Sequence, residues 1–159
     1  MIRPPKLSIS YDTLPSNPKE RHEVLVDAFG EYLFWVRRQT LSRIRALSES
    51  AEAREELGRL FRPVYEEASR LGAEDREKAY QLADAAVGFF ARLLLTMISG
   101  NGFDDAIGSH HVFRFRLDME ICDAETGEVV SSETINRHGE RFFAEYWGRW
   151  LNRFGTERD

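Results

Sequence analysis

Asp104, Asp105, His110 and His111 lie within eight positions of one another, the densest run of potential metal ligands in the chain. Carboxylates and imidazoles are the donors that zinc, manganese and iron sites use. His22 and His138 could join them if the fold brings them near. The spacing matches no ligand motif: there is no H-E-x-x-H, no paired C-x-x-C and no E-x-x-H. Adjacent residues of a strand also face opposite sides, which separates His110 from His111. A metal-dependent enzyme using Asp104, Asp105 and His110 is therefore the third-ranked expectation. A polar loop entering a strand is the plainer reading.

Arginines offer a second chemistry. Arg37, Arg38, Arg43 and Arg45 crowd one stretch, and Arg114 and Arg116 alternate in another. The guanidinium fork donates two parallel hydrogen bonds to a phosphate. Arg37, Arg38, Arg45, Arg114 and Arg116 are the residues expected to touch nucleic acid if the chain is a subunit of a nucleic-acid-handling complex. However, Arg43 falls near an apolar stripe, and Arg114 and Arg116 share their face with Asp118 and Glu120. Ordinary surface charge, with cations near a helix C-terminus, explains the same residues.

Aromatic residues offer a third. Phe142, Phe143, Tyr146, Trp147, Trp150 and Phe154 crowd the last segment, with Arg141, Arg149 and Arg153 among them. Tryptophan, tyrosine and arginine dominate the energetics of protein interfaces. Phe143, Tyr146, Trp147, Arg149, Trp150 and Arg153 are accordingly the expected protein-binding residues. Closure of the core by this segment is the competing reading, and the apolar face is broad enough for both. Nucleophilic catalysis has little support: Cys122 has no activating neighbour, and Ser131 and Ser132 lack an elbow motif.

The elements that must position these residues follow from periodicity. Asn17-Pro18-Lys19-Glu20 has the composition of a helix start, and Leu25, Phe29, Tyr32, Val36 and Leu47 continue at helical spacing to about Leu47. Leu57, Leu60, Phe61, Val64, Tyr65, Ala68 and Leu71 form a second helical stripe, which Pro63 should kink or split near Phe61. A third helix should start near Glu74 or Asp75, become almost wholly apolar from Ala83, and end at Gly100-Asn101-Gly102. Its run from Ala85 to Ile98 is shorter than the about 20 apolar residues of a spanning helix and contains Arg92, so a buried core helix is expected. That apolar composition also argues against a winged helix, whose third helix must be polar on its outer face.

The period then changes to two. His111, Phe113, Phe115, Leu117, Met119 and Ile121 alternate with polar residues, Asp123 to Gly127 reads as a turn, and Glu128 to Ile135 returns as a second strand. A last helix is expected from about Gly139 to Phe154. The fold class is therefore α+β, mainly helical: three long N-terminal helices, one β-hairpin at about 110–136 and one aromatic-rich C-terminal helix. Residues 1–16 read as an extended arm with a possible edge strand at Leu7 to Tyr11, and 17–155 as a single domain.

The bulk properties bound the partners. In 159 residues, 42% hydrophobic and 31% charged, a folded domain of ordinary size is expected. The net charge of −5 gives no bulk attraction to nucleic acid or anionic membrane. One cysteine excludes an intrachain disulfide and fits a reducing compartment. Residues 1–11 lack the apolar centre of a signal peptide. A cytoplasmic protein with no membrane partner and no cofactor is expected. Only three basic residues are lysines, a composition that suits a GC-rich bacterial or phage genome. The leading expectation is a non-catalytic accessory, inhibitor or immunity-type protein that binds another protein or a second copy of itself.

Overall fold

The computed structural model describes residues 11–55, 57–99, 115–137 and 141–155. The order is a 3-10 turn at Tyr11–Thr13, helices α1 (Pro18–Glu49), α2 (Ala51–Glu55), α3 (Arg62–Ser69) and α4 (Ala73–Ile98), strands β1 (Asp118–Cys122) and β2 (Val129–Thr134), a 3-10 turn at Phe143–Glu145, and helix α5 (Tyr146–Phe154). The chain is mainly helical α+β, with long N-terminal helices, one antiparallel hairpin and a C-terminal helix in an aromatic cluster. Its packing divides it into two compact units, Met1–Trp35 with Ala91–Asp159, and Val36–Phe90. Helices α1 and α4 each contribute to both.

Local chemistry sets the helix starts. Asn17 Oδ1 accepts from the amides of Lys19 at 2.9 Å and Glu20 at 3.4 Å, which caps α1. Pro63 splits the second stripe, since it has no amide for the preceding turn and fits the first turn of a new helix. The stripe is therefore helical only from Arg62, where α3 opens with proline in its first turn, and Leu57 to Phe61 form a bend and turn after the separate short α2.

The first unit holds the core. Leu25, Val26 and Phe34 of α1, Leu95 of α4, Ile135, Phe143, Tyr146 and Trp150 are buried together. The inward residues of the hairpin, Leu117, Met119 and Ile121, pack against them. Asp118 pairs with Thr134 and Glu120 with Ser132, with an irregularity between Ile121 and Cys122. Gly127 takes the left-handed conformation that the turn requires, φ 73°. Asp123 Oδ1 accepts from the amides of Glu125 and Thr126 at 2.9 and 2.8 Å.

Asn136 joins this unit's elements. Its Nδ2 donates to the carbonyls of Ile98 and Phe115 at 2.8 and 2.9 Å, and its Oδ1 accepts from Leu117 N at 2.7 Å. One buried side chain therefore satisfies three backbone groups at the exit of α4 and the entry to the hairpin.

Two sequence expectations are corrected. The last α-helix starts at Tyr146, not Gly139. Phe142 has extended backbone, and the Phe143 amide donates to Ser99 Oγ at 2.8 Å, so helical hydrogen bonding begins only afterwards. The apolar run of α4 is not a buried core helix: Leu95 alone is buried on it, and the helix is long and apolar enough to cross a membrane. Apolar composition says how much surface a helix could bury but not how many neighbours will cover it. Residues 7–10 of the arm's expected edge strand, the loop at 103–109 and the expected strand residues before Phe115 lie outside the described residues; Tyr11 is in a 3-10 turn, and β1 starts at Asp118.

Candidate functional site

The expected aromatic and arginine residues of the last segment are brought together, but mostly against their own chain. Phe143, Tyr146 and Trp150 are buried, and Trp147 is half-buried with its ring 4.9 Å from that of Phe34. Trp150 meets Phe143 edge-on at 5.6 Å and stacks with Tyr146 at 5.7 Å. Two carboxylates on α1 hold the polar ends. Glu23 accepts from Tyr146 Oη and Arg149, each at 2.6 Å. Asp27 accepts from Trp150 Nε1 at 3.2 Å and also from Arg149 and Arg153.

Glu23 and Asp27 are four positions apart, hence on one face of α1. Tyr146, Arg149, Trp150 and Arg153 have the matching spacing on α5. Burial alone pushes the Glu23 carboxyl up, but the hydrogen bonds from Tyr146 and Arg149 and the nearby guanidinium charges outweigh it, and the net shift is downward. Burial and the same hydrogen bond push the Tyr146 phenol well above its ordinary range. The arrangement docks α5 onto α1. Phe142 and Leu151 remain exposed beside it.

A second buried polar cluster was not legible as a site. His22 Nδ1 lies 2.9 Å from Glu133 Oε1, which also accepts from Arg137 at 2.7 Å, while Arg21 Nε reaches Oε2 at 3.4 Å. A carboxylate facing an imidazole could in principle work as an acid–base pair. Here two guanidinium groups also bond to the carboxylate and supply the opposite charge that a buried carboxylate needs. The nearby cleft, lined by Ser99, Asn136, Arg137, Arg141, Phe142 and Phe143, has room for roughly one water molecule. The cluster's evident effect is to tie α1 to β2.

Asp104, Asp105, His110 and Arg114 lie outside the described residues. Among the described residues no three His, Cys, Asp or Glu side chains are grouped to hold an ion. The remaining arginines are engaged locally. Arg37 pairs with Asp84, and Arg45 lies 3.4 Å from Glu77 and stacks over the Tyr80 ring at 4.4 Å. Arg116 pairs with Asp118 at 2.8 Å. Arg38 is half-buried and Arg43 exposed on α1.

The surface that sequence reading did not anticipate lies in the unit Val36–Phe90. Leu47 is its one buried large hydrophobic residue among those described. Leu60, Phe61 and Val64 are 79, 59 and 64% exposed, and Leu82, Phe89 and Phe90 are 71, 65 and 67% exposed. Leu60 and Phe61 lie in the turn that leads into α3, and Val64 lies on its first turn. The others line α4 on the side away from Tyr80 and Asp84, whose hydrogen bonds go to Glu49 and Arg37 of α1. Monomeric proteins rarely expose contiguous apolar patches beyond a few hundred Å².

Comparison of the chain with protein-family models, with curated proteins and with solved structures gave no match.

Proposed function

We propose that this chain is a non-catalytic protein-binding accessory, inhibitor or immunity-type protein of a bacterial or phage cytoplasm, working by surface complementarity. The observation that carries this reading is the exposure of Leu60, Phe61, Val64, Leu82, Phe89 and Phe90 in a unit with so little core of its own. Apolar surface of that kind is stabilised by removal from water, at roughly 25 cal/mol per Å². The aromatic residues of α5 give less support to a partner surface, because Glu23 and Asp27 already hold their polar ends. A phosphate-contacting subunit is the weaker alternative, since Arg37, Arg45 and Arg116 each face a carboxylate.

Native mass spectrometry of the protein gently purified from its own cells tests the proposal. The expected result is a mass above the 18.4 kDa chain by that of another protein or a second copy. Introducing Leu60→Glu with Phe90→Glu should abolish the added mass. A bound metal or small organic molecule with no protein partner would overturn the reading.

A further inference from the structure

Helix α4 carries a seam with a definite rhythm. Ala79, Leu82, Ala86, Phe89 and Leu93 follow one another at spacings of three, four, three and four. That is the heptad pattern of helices that pack side by side at a shallow angle. All five are exposed, as are the flanking Ala85, Phe90 and Arg92. The opposite side of the helix, through Tyr80, Asp84 and Val87, is half-buried, with Ala83 at the boundary.

The order of large and small residues along the seam selects a partner and a direction. Laid parallel on a second α4, Ala86 would meet Ala86 and Phe89 would meet Phe89, leaving a gap beside a crowded layer. Laid antiparallel about a two-fold axis between Val87 and Gly88, Leu82 faces the second copy's Leu93, and Ala86 faces its Phe89, each contact occurring twice. At the flanks, Phe90 covers the second copy's Ala83, and Arg92 lies beside its Ala85 with its head free to reach water. Large residues then meet small ones, and no like charges oppose each other. Antiparallel pairs of this kind match the two-fold symmetry that most homodimers adopt.

We infer that α4 is a self-association helix, pairing antiparallel with α4 of a second copy of this chain. The inference rests on the reading of the uncovered apolar surface as a binding surface, and it names the occupant of the α4 part. The exposed portions of Leu82, Phe89, Phe90, Leu93 and the seam and flanking alanines sum to on the order of 600 Å² per chain, against about 800 Å² per partner in a standard interface. Polar side chains at the rim, such as Lys78, Gln81 and Arg92, can supply the remainder. A bilayer is the competing occupant, but it would bring Arg92 into hydrocarbon. It would also have to release the end of the helix, where Leu95 is buried and the Ile98 carbonyl is held by Asn136.

Sedimentation equilibrium of the purified full chain should give twice the 18.4 kDa monomer mass. Phe89→Glu should raise the dissociation constant by about 30-fold or more while leaving the helical circular dichroism signal intact. Direction is read separately, without that variant: Lys78→Cys in a Cys122→Ser background, carrying a nitroxide. Antiparallel pairing separates the two labels along the axis by 19 residues of helix, about 30 Å, whereas parallel pairing brings them within about 15 Å. A monomer at all concentrations, a dimer with the short spacing, a dimer indifferent to Phe89→Glu, or a monomer that partitions into lipid vesicles would each overturn the inference. A pure-protein monomer that carries a different protein in native mass spectrometry would overturn this inference and leave the broader function standing.

Discussion

Replacing glycine by alanine inside a helix ordinarily stabilises a protein by about 1 kcal/mol. Gly30→Ala should do the opposite here. Gly30 lies in the interior of α1, and a Cβ added there would overlap the Trp150 indole. That ring has no exposed surface, its Nε1 donates to Asp27, and the rings of Phe29, Phe143 and Tyr146 stand 5.9, 5.6 and 5.7 Å away. The indole cannot step aside without disturbing those contacts. Overpacking of this kind costs about 1–3 kcal/mol, and a direct overlap with a confined ring belongs at the upper end. Subtracting the propensity gain leaves a net loss of about 2 kcal/mol. The sign should reverse when the ring is removed: in a Trp150→Leu background, Gly30→Ala should stabilise by about 1 kcal/mol, a coupling of about 3 kcal/mol between the two sites. Urea denaturation followed by circular dichroism measures all four corners of the cycle. Additive effects, or a Gly30→Ala single variant more stable than the parent, would refute the close packing of α5 on α1.

Other expectations follow from the same contacts. The depressed Glu23 carboxyl means that the unfolded chain takes up its proton first as pH falls, so this contribution to stability is complete above the ordinary glutamate range and is lost as pH drops through the lower folded value. Glu23→Gln should flatten that acid limb in a plot of urea midpoint against pH; an unchanged limb would remove Glu23 from the account. Asn136→Asp at neutral pH would set a carboxylate against the Ile98 and Phe115 carbonyls in place of two donated hydrogen bonds. It should cost more than Asn136→Ala, itself expected at about 2–4 kcal/mol from orphaned backbone groups. The ranking of the two in thermal melts is the check. Gly127→Ala forces a side chain into left-handed backbone, and should cost about 1–2 kcal/mol, with Gly127→Asn less damaging, as read from denaturant midpoints.

The parts of the fold that were legible in the sequence rest on local chemistry. Asn17 caps α1 because its side chain reaches amides two and three positions away, a contact that needs no tertiary information. Pro63 sits in the first turn of α3 for reasons internal to its ring. The alternation from Leu117 to Ile121 and the turn at Gly127 are equally local. What was not legible depends on which element meets which. The spacing of Glu23 and Asp27 on one helix and of Tyr146, Arg149, Trp150 and Arg153 on another is visible in the sequence, but nothing local pairs the two sets. Similarly, Glu133 is only one residue of the expected second strand until the fold places His22, Arg21 and Arg137 around it. The α4 run looked like core because apolar composition is the same for a helix covered by its own chain and for one left bare.

The proposed binding surface differs from the expected one for that reason. Aromatic residues on α5 have the composition of a hot spot, yet Tyr146, Trp147 and Trp150 meet α1, and the most exposed large apolar residues lie before and on α3 and along α4. A monomeric protein with Phe89 and Phe90 in water is stabilised by any association that hides them.

Hydrogen exchange, followed peptide by peptide in the free and the assembled protein, tests this account most directly. On assembly, amides in residues 58–71 and 79–95 should slow, while those in 141–155, already secured against α1, should exchange at the same rate in both states. Slowing confined to 141–155, with 58–71 and 79–95 unchanged, would contradict the account and return the binding surface to α5.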